Sequence, residues 1–287
     1  MRYSKTLRNN NTIWSDTTSH KYQTQHTSEF NIRFVFNGDE VYQIGRRQLT
    51  LYPDSFLIIN KGTQYTSKID SPSPVDSFSL GFDQAFLQDF NNCRQLSEHK
   101  LLDNRVSSRT HEYDFSETLY PFKGDMRFNL QHLKNYMDKG SHNELLINEY
   151  MHHCLINYYT IYDQEIFKKI EALKFLNRST RIEILRRLNL AKEYLLSNYN
   201  MNISLEDLAE HACLSVNHLL RTFKQAFHQS PHQFLMQTRL QRAKLLLKTT
   251  NYPINEIVNL VGFECPSSFI RLFKNRYQVT PLKYRHN

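Results

Sequence analysis

No stretch of this chain stays apolar for the ~20 residues that a membrane-spanning helix needs. Its first twenty residues, MRYSKTLRNN NTIWSDTTSH, lack the apolar centre of a secretion signal. Four cysteines, Cys93, Cys154, Cys213 and Cys265, stand far apart with no C-x-x-C pair. That spacing speaks against a zinc knuckle and against a disulfide framework, so reduced thiols in a cytoplasmic protein are expected. No G-x-S-x-G, P-loop or G-x-G-x-x-G run is present. Between Asn31 and Gly81 there is no histidine, which deprives a metal-dependent barrel enzyme of its ligands. Glu149 and His153 have i, i+4 spacing, but no third ligand is near in sequence, so they read as surface or packing residues. No catalytic group, metal or cofactor is therefore expected.

What is there is an ordinary folded composition, 40% hydrophobic and 22% charged, over 287 residues, enough for two cores. The charge is unevenly placed. From Arg178 to the end, 16 Lys and Arg face 7 Asp and Glu, whereas the first 177 residues hold 20 against 21. The whole positive excess lies in the last 110 residues, where it favours polyanions, nucleic acid foremost, through phosphate neutralisation.

Residues 30–82 carry short β-branched and aromatic runs, FNIRFVF, VYQI, RRQLTL, SFLIIN and FSLGF. Turn signals separate them at Asn37-Gly38-Asp39, Gly45, Pro53-Asp54, Lys61-Gly62 and Ser71-Pro72-Ser73-Pro74. This spacing predicts a small antiparallel barrel or sandwich. From Asp125 the period turns helical, with Phe128, Leu130, Leu133, Tyr136 and Met137 on one stripe, then Leu145, Leu146, Tyr150, Leu155, Ile156 and Tyr159. The segment from Glu144 to Phe175 is a candidate surface for pairing two copies. Ser179 or Thr180 can cap the next helix, which divides the chain into a β-domain (1–125), a helical segment (126–177) and a helical domain (178–287).

That last domain repeats itself. NHLLRTFKQAFHQSPHQF (217–234) overlays SFIRLFKNRYQVTPLKYR (268–285) at an offset of 50, matching Arg221 with Arg271, Phe223 with Phe273, Lys224 with Lys274 and Pro231 with Pro281. Ser204 caps a short helix with Leu205, Leu208, Ala209 and Ala212 inward; a break at Cys213-Leu214 precedes Ser215, the cap of a second helix. In the second copy Pro253, Gly262-Phe263 and Pro266 punctuate the same pattern. Two helix-turn-helix units joined by a long helix from Pro231 to Leu247 are predicted. Such a unit lays its second helix in a major groove. The polar faces of these helices are Asn217, His218, Arg221 and Gln225 in the first, and Ser267, Ser268, Arg271 and Asn275 in the second. Arg221 and Arg271 have the reach for bidentate bonds to guanine, and Lys224 and Lys274 suit phosphates.

The stretches ISLEDLAEHACLS, RTFKQAF, SPHQFL, RLQRAKLLL, PINEIVNLVGFE and FIRLFKNRYQVTPLKYR resemble the DNA-binding domain of the AraC/XylS family of bacterial transcription regulators. The resemblance implies an α+β chain with an N-terminal cupin-like antiparallel β-barrel that senses a small molecule or dimerises, and a C-terminal double helix-turn-helix. It implies that Asn217, Arg221, Ser267 and Arg271 fall where family members contact bases, with double-stranded DNA and RNA polymerase as partners, a possible homodimer, and activation as the outcome. Where the family often has glycine after the reading helix, this chain has His228 and Gln278. A non-glycine left-handed cap costs about 1 kcal/mol, so these helix ends are expected to close differently or be held less firmly. For a ligand, the barrel offers Phe34, Phe36, Tyr42, Tyr52, Phe56 and Tyr65 with Arg33, Arg46 and Arg47, residues that equally suit an ordinary core. Two alternatives stand beside the sequence-specific regulator: a nonspecific architectural DNA binder, and a metal-free barrel enzyme with a basic helical appendage.

Overall fold

The computed structural model of the protein describes residues 3–95, 115–140 and 143–286. The chain divides into two compact units, residues 1–165 and 166–287.

The first unit is built on β1 (Tyr3–Thr6), β2 (Thr12–Thr27), β3 (Asn31–Asn37), β4 (Glu40–Ile44), β5 (Arg47–Leu51), β6 (Ser55–Ile59), β7 (Gln64–Gly81) and β8 (Leu119–Pro121). All pairings are antiparallel and run β1-β2-β7-β3-β6-β8, with β4 joining β7 to β5. The sheet is antiparallel as expected, but among the described residues the pairings form an open path rather than a closed barrel. Its two outer strands are four and three residues long, and β8 ends on Pro121, which has no N–H to offer a further strand.

Two departures from the sequence-based strands share one cause. The 16-residue β2 was hidden because TIWSDTTSHKYQTQHT is polar apart from Ile13, Trp14 and Tyr22. Ser71-Pro72-Ser73-Pro74, expected to be a turn between strands, lies inside the 18-residue β7. Opposite it the register moves from Thr18↔Val75 to His20↔Asp70, so four residues of β7 face the single Ser19. The prolines sit in this bulge, where the ladder asks for no N–H. β7 also changes neighbours there, pairing with β4 before it and with β3 after it.

One sheet face forms the hydrocarbon core of the unit. Phe34 packs on Phe122 at 5.0 Å, and Phe56 stacks on Tyr120, which meets Tyr158 edge-on at 5.5 Å. Behind them lie α1 (Gln84–Gln95), α2 (Gly124–Asp138) and α3 (Glu144–Tyr162), the last two touching through Cys154 Sγ and Met126 Sδ at 3.6 Å. On α2 the buried stripe is Met126, Leu130, Leu133 and Met137, while Phe128, placed on that stripe from the sequence, is exposed.

The second unit is helical: α4 (Lys168–Ala172), α5 (Arg178–Ser197), α6 (Leu205–His211), α7 (Val216–Phe227), α8 (Pro231–Thr249), α9 (Ile254–Leu260), α10 (Pro266–Tyr277) and α11 (Pro281–His286). Helix α5 starts from Asn177, so Ser179 and Thr180 lie in its first turn rather than at its cap. Ser204 with Asp207, and Ser230 with Gln233, close capping boxes on α6 and α8. The pairs α6-α7 and α9-α10 are the two predicted units, joined by α8. Leu219 and Phe223 in one, and Phe269 and Phe273 in the other, are completely buried.

Candidate nucleic-acid interface

The second helix of each unit is positioned by a turn before it and a reversal after it, and both demand left-handed backbone. Before α10, Gly262 has φ +81°, and a Cβ there would come within 2.6 Å of the Asn200 carbonyl oxygen. Forty-nine positions earlier, Cys213 takes φ +50° without glycine's freedom, its carbonyl accepting a 2.9 Å bond from Arg187. After the helices, His228 (φ +57°) and Gln278 (φ +61°) both adopt the left-handed conformation. His228 N–H donates to Lys224 O at 3.0 Å, Gln278 N–H to Lys274 O at 2.8 Å, and the Gln278 amide returns to Asn275 O at 2.9 Å. The expectation that these ends close differently is therefore corrected: local hydrogen bonds hold the glycine geometry with other residues.

Buried Leu219 and Phe223 turn the opposite side of α7 outward, so Asn217, Arg221 and Lys224 are exposed. Phe269 and Phe273 do the same for Ser267, Arg271, Lys274 and Asn275 on α10, with Ser268 half-buried. Two predicted readers are less free. The Gln225 side-chain oxygen accepts from Lys174 N–H at 3.4 Å, and His218 lies edge-on to Phe175 with ring centres 5.8 Å apart. Burial, then the charges of Arg221 and Arg187, hold the His218 imidazole below its ordinary value. The segment Leu173–Leu176 thus lies along one flank of α7. The signal for this was the apolar pair Leu173 and Phe175, which the sequence placed at the end of the candidate pairing segment Glu144 to Phe175.

Cys265 occupies the N-cap position of α10. The N–H groups and hydroxyls of Ser267 and Ser268 beside it favour its thiolate, lowering the thiol to about 7.

The first unit holds a second polar cluster, on the sheet face opposite the hydrocarbon core. Glu40 is 1% exposed, accepts from Ser77 Oγ at 3.1 Å and pairs with Lys21 at 3.6 Å. The Lys21 ammonium also lies 4.1 Å from the Trp14 ring centre, and burial lowers its pKa despite the nearby carboxylate. Arg33 donates to the Tyr65 hydroxyl at 2.5 Å and to Asn31 at 2.9 Å. Buried charge is expensive unless paired, and here two cations and a carboxylate are held among three aromatic rings, those of Trp14, Tyr42 and Tyr65. Of the aromatic set considered for a ligand, Tyr42 and Tyr65 belong to this face, whereas Phe34, Phe36 and Phe56 pack with other phenylalanine and tyrosine rings in the core. Arg47 bonds the Glu117 carbonyl at 2.6 Å, Arg46 is exposed in a turn and Tyr52 is half-buried. Trp14, Lys21 and Glu40 were not picked out from the sequence, because their partners come from strands far apart in the chain.

Among the described residues no group of three His, Cys, Asp or Glu could hold a metal ion, and no helix is long and apolar enough to cross a membrane.

Residues 13–155 match the family model described as an AraC-like ligand binding domain, and residues 208–287 match one described as a helix-turn-helix domain. The chain is 26% identical over 255 residues, 88% of its own length and 83% of the other's, to the raffinose operon transcriptional regulatory protein RafR of Pediococcus pentosaceus. It is 28% identical to the lactose operon transcription activator of Staphylococcus xylosus over 156 residues, 54% of this chain and 52% of that one. Among solved structures, the C-terminal domain of the two-component response regulator yesN from Fusobacterium nucleatum is 38% identical, with a TM-score of 0.32, over 33% of this chain and 94% of that chain. An antiparallel ligand-binding sheet followed by two helix-turn-helix units, each matched to its family model, makes this chain a member of the AraC family of sequence-specific DNA-binding transcription regulators.

Proposed function

We propose that the protein activates transcription by laying α7 and α10 in two adjacent major grooves of one promoter site. Asn217, Arg221, Ser267 and Arg271 read base edges, with His218, Gln225 and Ser268 at the margin of the read strip, and Lys224 and Lys274 hold phosphates. The observation that carries this reading is the pair Arg221 and Arg271. Both are exposed, both lie 50 positions apart on helices of matching geometry, and arginine is the residue best shaped for guanine O6 and N7. Adjacent grooves recur every ~34 Å along one face of the duplex, so one protomer covers about two turns. Activation is favoured by the name of the Staphylococcus xylosus relative.

We further propose that the polar sheet face around Glu40, Lys21 and Arg33 receives the effector. Its hydrogen-bonding side chains and flat rings suit a hydroxyl-rich molecule; the relatives named for raffinose and lactose operons agree with that class. Exposed Leu145 and Ile156 on α3 support pairing of two copies through that helix, and contact with RNA polymerase would follow from activation.

The test is selection of genomic fragments by the purified full-length protein near physiological salt, with and without a panel of neutral sugars, followed by footprinting. A few sites protected over about two turns per protomer are expected. Binding that responds to salt but to no sequence would refute the base-reading assignment.

A further inference from the structure

Between the two reading helices the second unit has a groove of about 770 Å3. Its polar rim is His228 and Gln229 after α7, His232 and Gln237 on α8, and Asn275 and Arg276 on α10. Its floor is apolar, with Met236 and Leu272. No carboxylate lines it.

Both edges of this groove continue the DNA-reading face. Asn275 lies one helical turn beyond Arg271 on the same side of α10. His228 follows Lys224 by four positions and donates its N–H to the Lys224 carbonyl. A duplex that places successive major grooves on α7 and α10 must carry the intervening stretch of sugar and phosphate across the space between them. That space is rimmed by hydrogen-bond donors, bears the positive charge of Arg276 and has apolar carbon at its base. These are the counterparts of phosphate oxygens and the faces of deoxyribose rings. An acidic protein segment would share the charge, but only the duplex is already required to pass over this position.

We propose that the groove seats the DNA backbone between the two read major grooves, with Arg276, His232 and Gln229 as its phosphate donors. The inference rests on the two-groove reading above. It assigns to the joining helix a share of the affinity that carries no sequence information, and it sets the angle at which the two reading helices enter their grooves.

Arg276→Ala and the double variant His232→Ala, Gln229→Ala in the full-length protein provide the test. All three side chains lie at or near the surface, so thermal melts should match the parent. Affinity is measured by fluorescence anisotropy on a selected site and on a random duplex across a salt series. Each variant is expected to lose roughly three- to tenfold on both duplexes alike, and Arg276→Ala to make the slope of log K against log salt shallower by about 0.9, one phosphate's worth. Ethylating the phosphates midway between the two protected grooves should block binding by the parent protein. Unchanged affinity and slope, or no interference at those central phosphates, overturns the proposal. So does a loss confined to the selected site, which would make these residues base readers. If no selective footprint exists at all, the two-groove reading fails separately, and the salt slope on random duplex still decides the groove.

Discussion

The two helix-turn-helix units have helices of equal length, a turn one residue longer in the second, and different chemistry. The first turns at Cys213, strained and held by Arg187; the second turns at Gly262, unstrained but pressed against Asn200. Helix α7 is capped by the Ser215 side chain, which accepts from His218 N–H at 3.4 Å, and offers Asn217 beside Arg221. Helix α10 starts with a proline and no side-chain cap bond, and offers the shorter Ser267 beside Arg271. The first is flanked by Leu173–Leu176, whereas the side of α10 around Leu272 and Arg276 lines an open groove. A repeated apolar framework therefore fixes where the second helix of each unit lies, and leaves each copy free to differ in the polar side chains it presents and in what borders it.

The turns give the largest contrast. Gly262→Ala imposes a left-handed alanine costing about 1–2 kcal/mol, and its Cβ meets a backbone oxygen that cannot step aside. Cys213→Gly relieves a strained residue while adding unfolded-state freedom, two effects of about equal size. Urea titration should show a clear drop in midpoint for the first and almost none for the second. Equal responses would mean that the two turns do not differ in strain.

Next come the arginines. Arg221→Ala and Arg271→Ala should each cost about 1–3 kcal/mol at a selected site and relax the preference at one base position. The selectivity loss should be larger for Arg221, whose neighbour Asn217 can also pair with a base edge. Competition binding with single-base variants of the site measures both. A larger loss for Arg271 would reverse the ranking of the two units.

Smaller and uniform losses are expected for Lys224→Ala and Lys274→Ala, about the same on selected and random DNA, with a shallower salt slope. A preference between sequences would move these lysines into the base-reading set.

The smallest effect is on pH. His218 has a depressed folded-state value, so its contribution to stability is fully present above the unfolded value of about 6.5 and is lost as pH falls below it. The imidazole should titrate below 6.5 by NMR, and urea midpoints of the parent should fall slightly more than those of His218→Ala between pH 7.5 and 5.5. An unshifted titration would place His218 out in solvent and free to face DNA.

Most of the second unit was readable because its signals are local. Ser204, Ser230, Pro231, Gly262 and Pro266 each act within a few residues of where they stand, and an apolar period of 3.6 states which side of a helix is buried. The position of Arg221 and Arg271 follows from those signals alone. The first unit was only partly readable. Its short apolar strands β3 to β6 announce themselves, but β2 is mostly polar and is a strand because β7 offers it a ladder.

The sequence by itself determined the double helix-turn-helix, the placing of positive charge upon it and the pair of matching arginines, all consequences of neighbours along the chain. Tertiary structure alone decided that the prolines of Ser71–Pro74 would sit in a bulge rather than a turn. It alone brought Lys21, Arg33 and Glu40 to one buried face and opened a donor-lined groove between the reading helices. Those features depend on residues distant in sequence, whose pairing is chosen by the packing of the whole unit and leaves no periodic trace in any one stretch of chain.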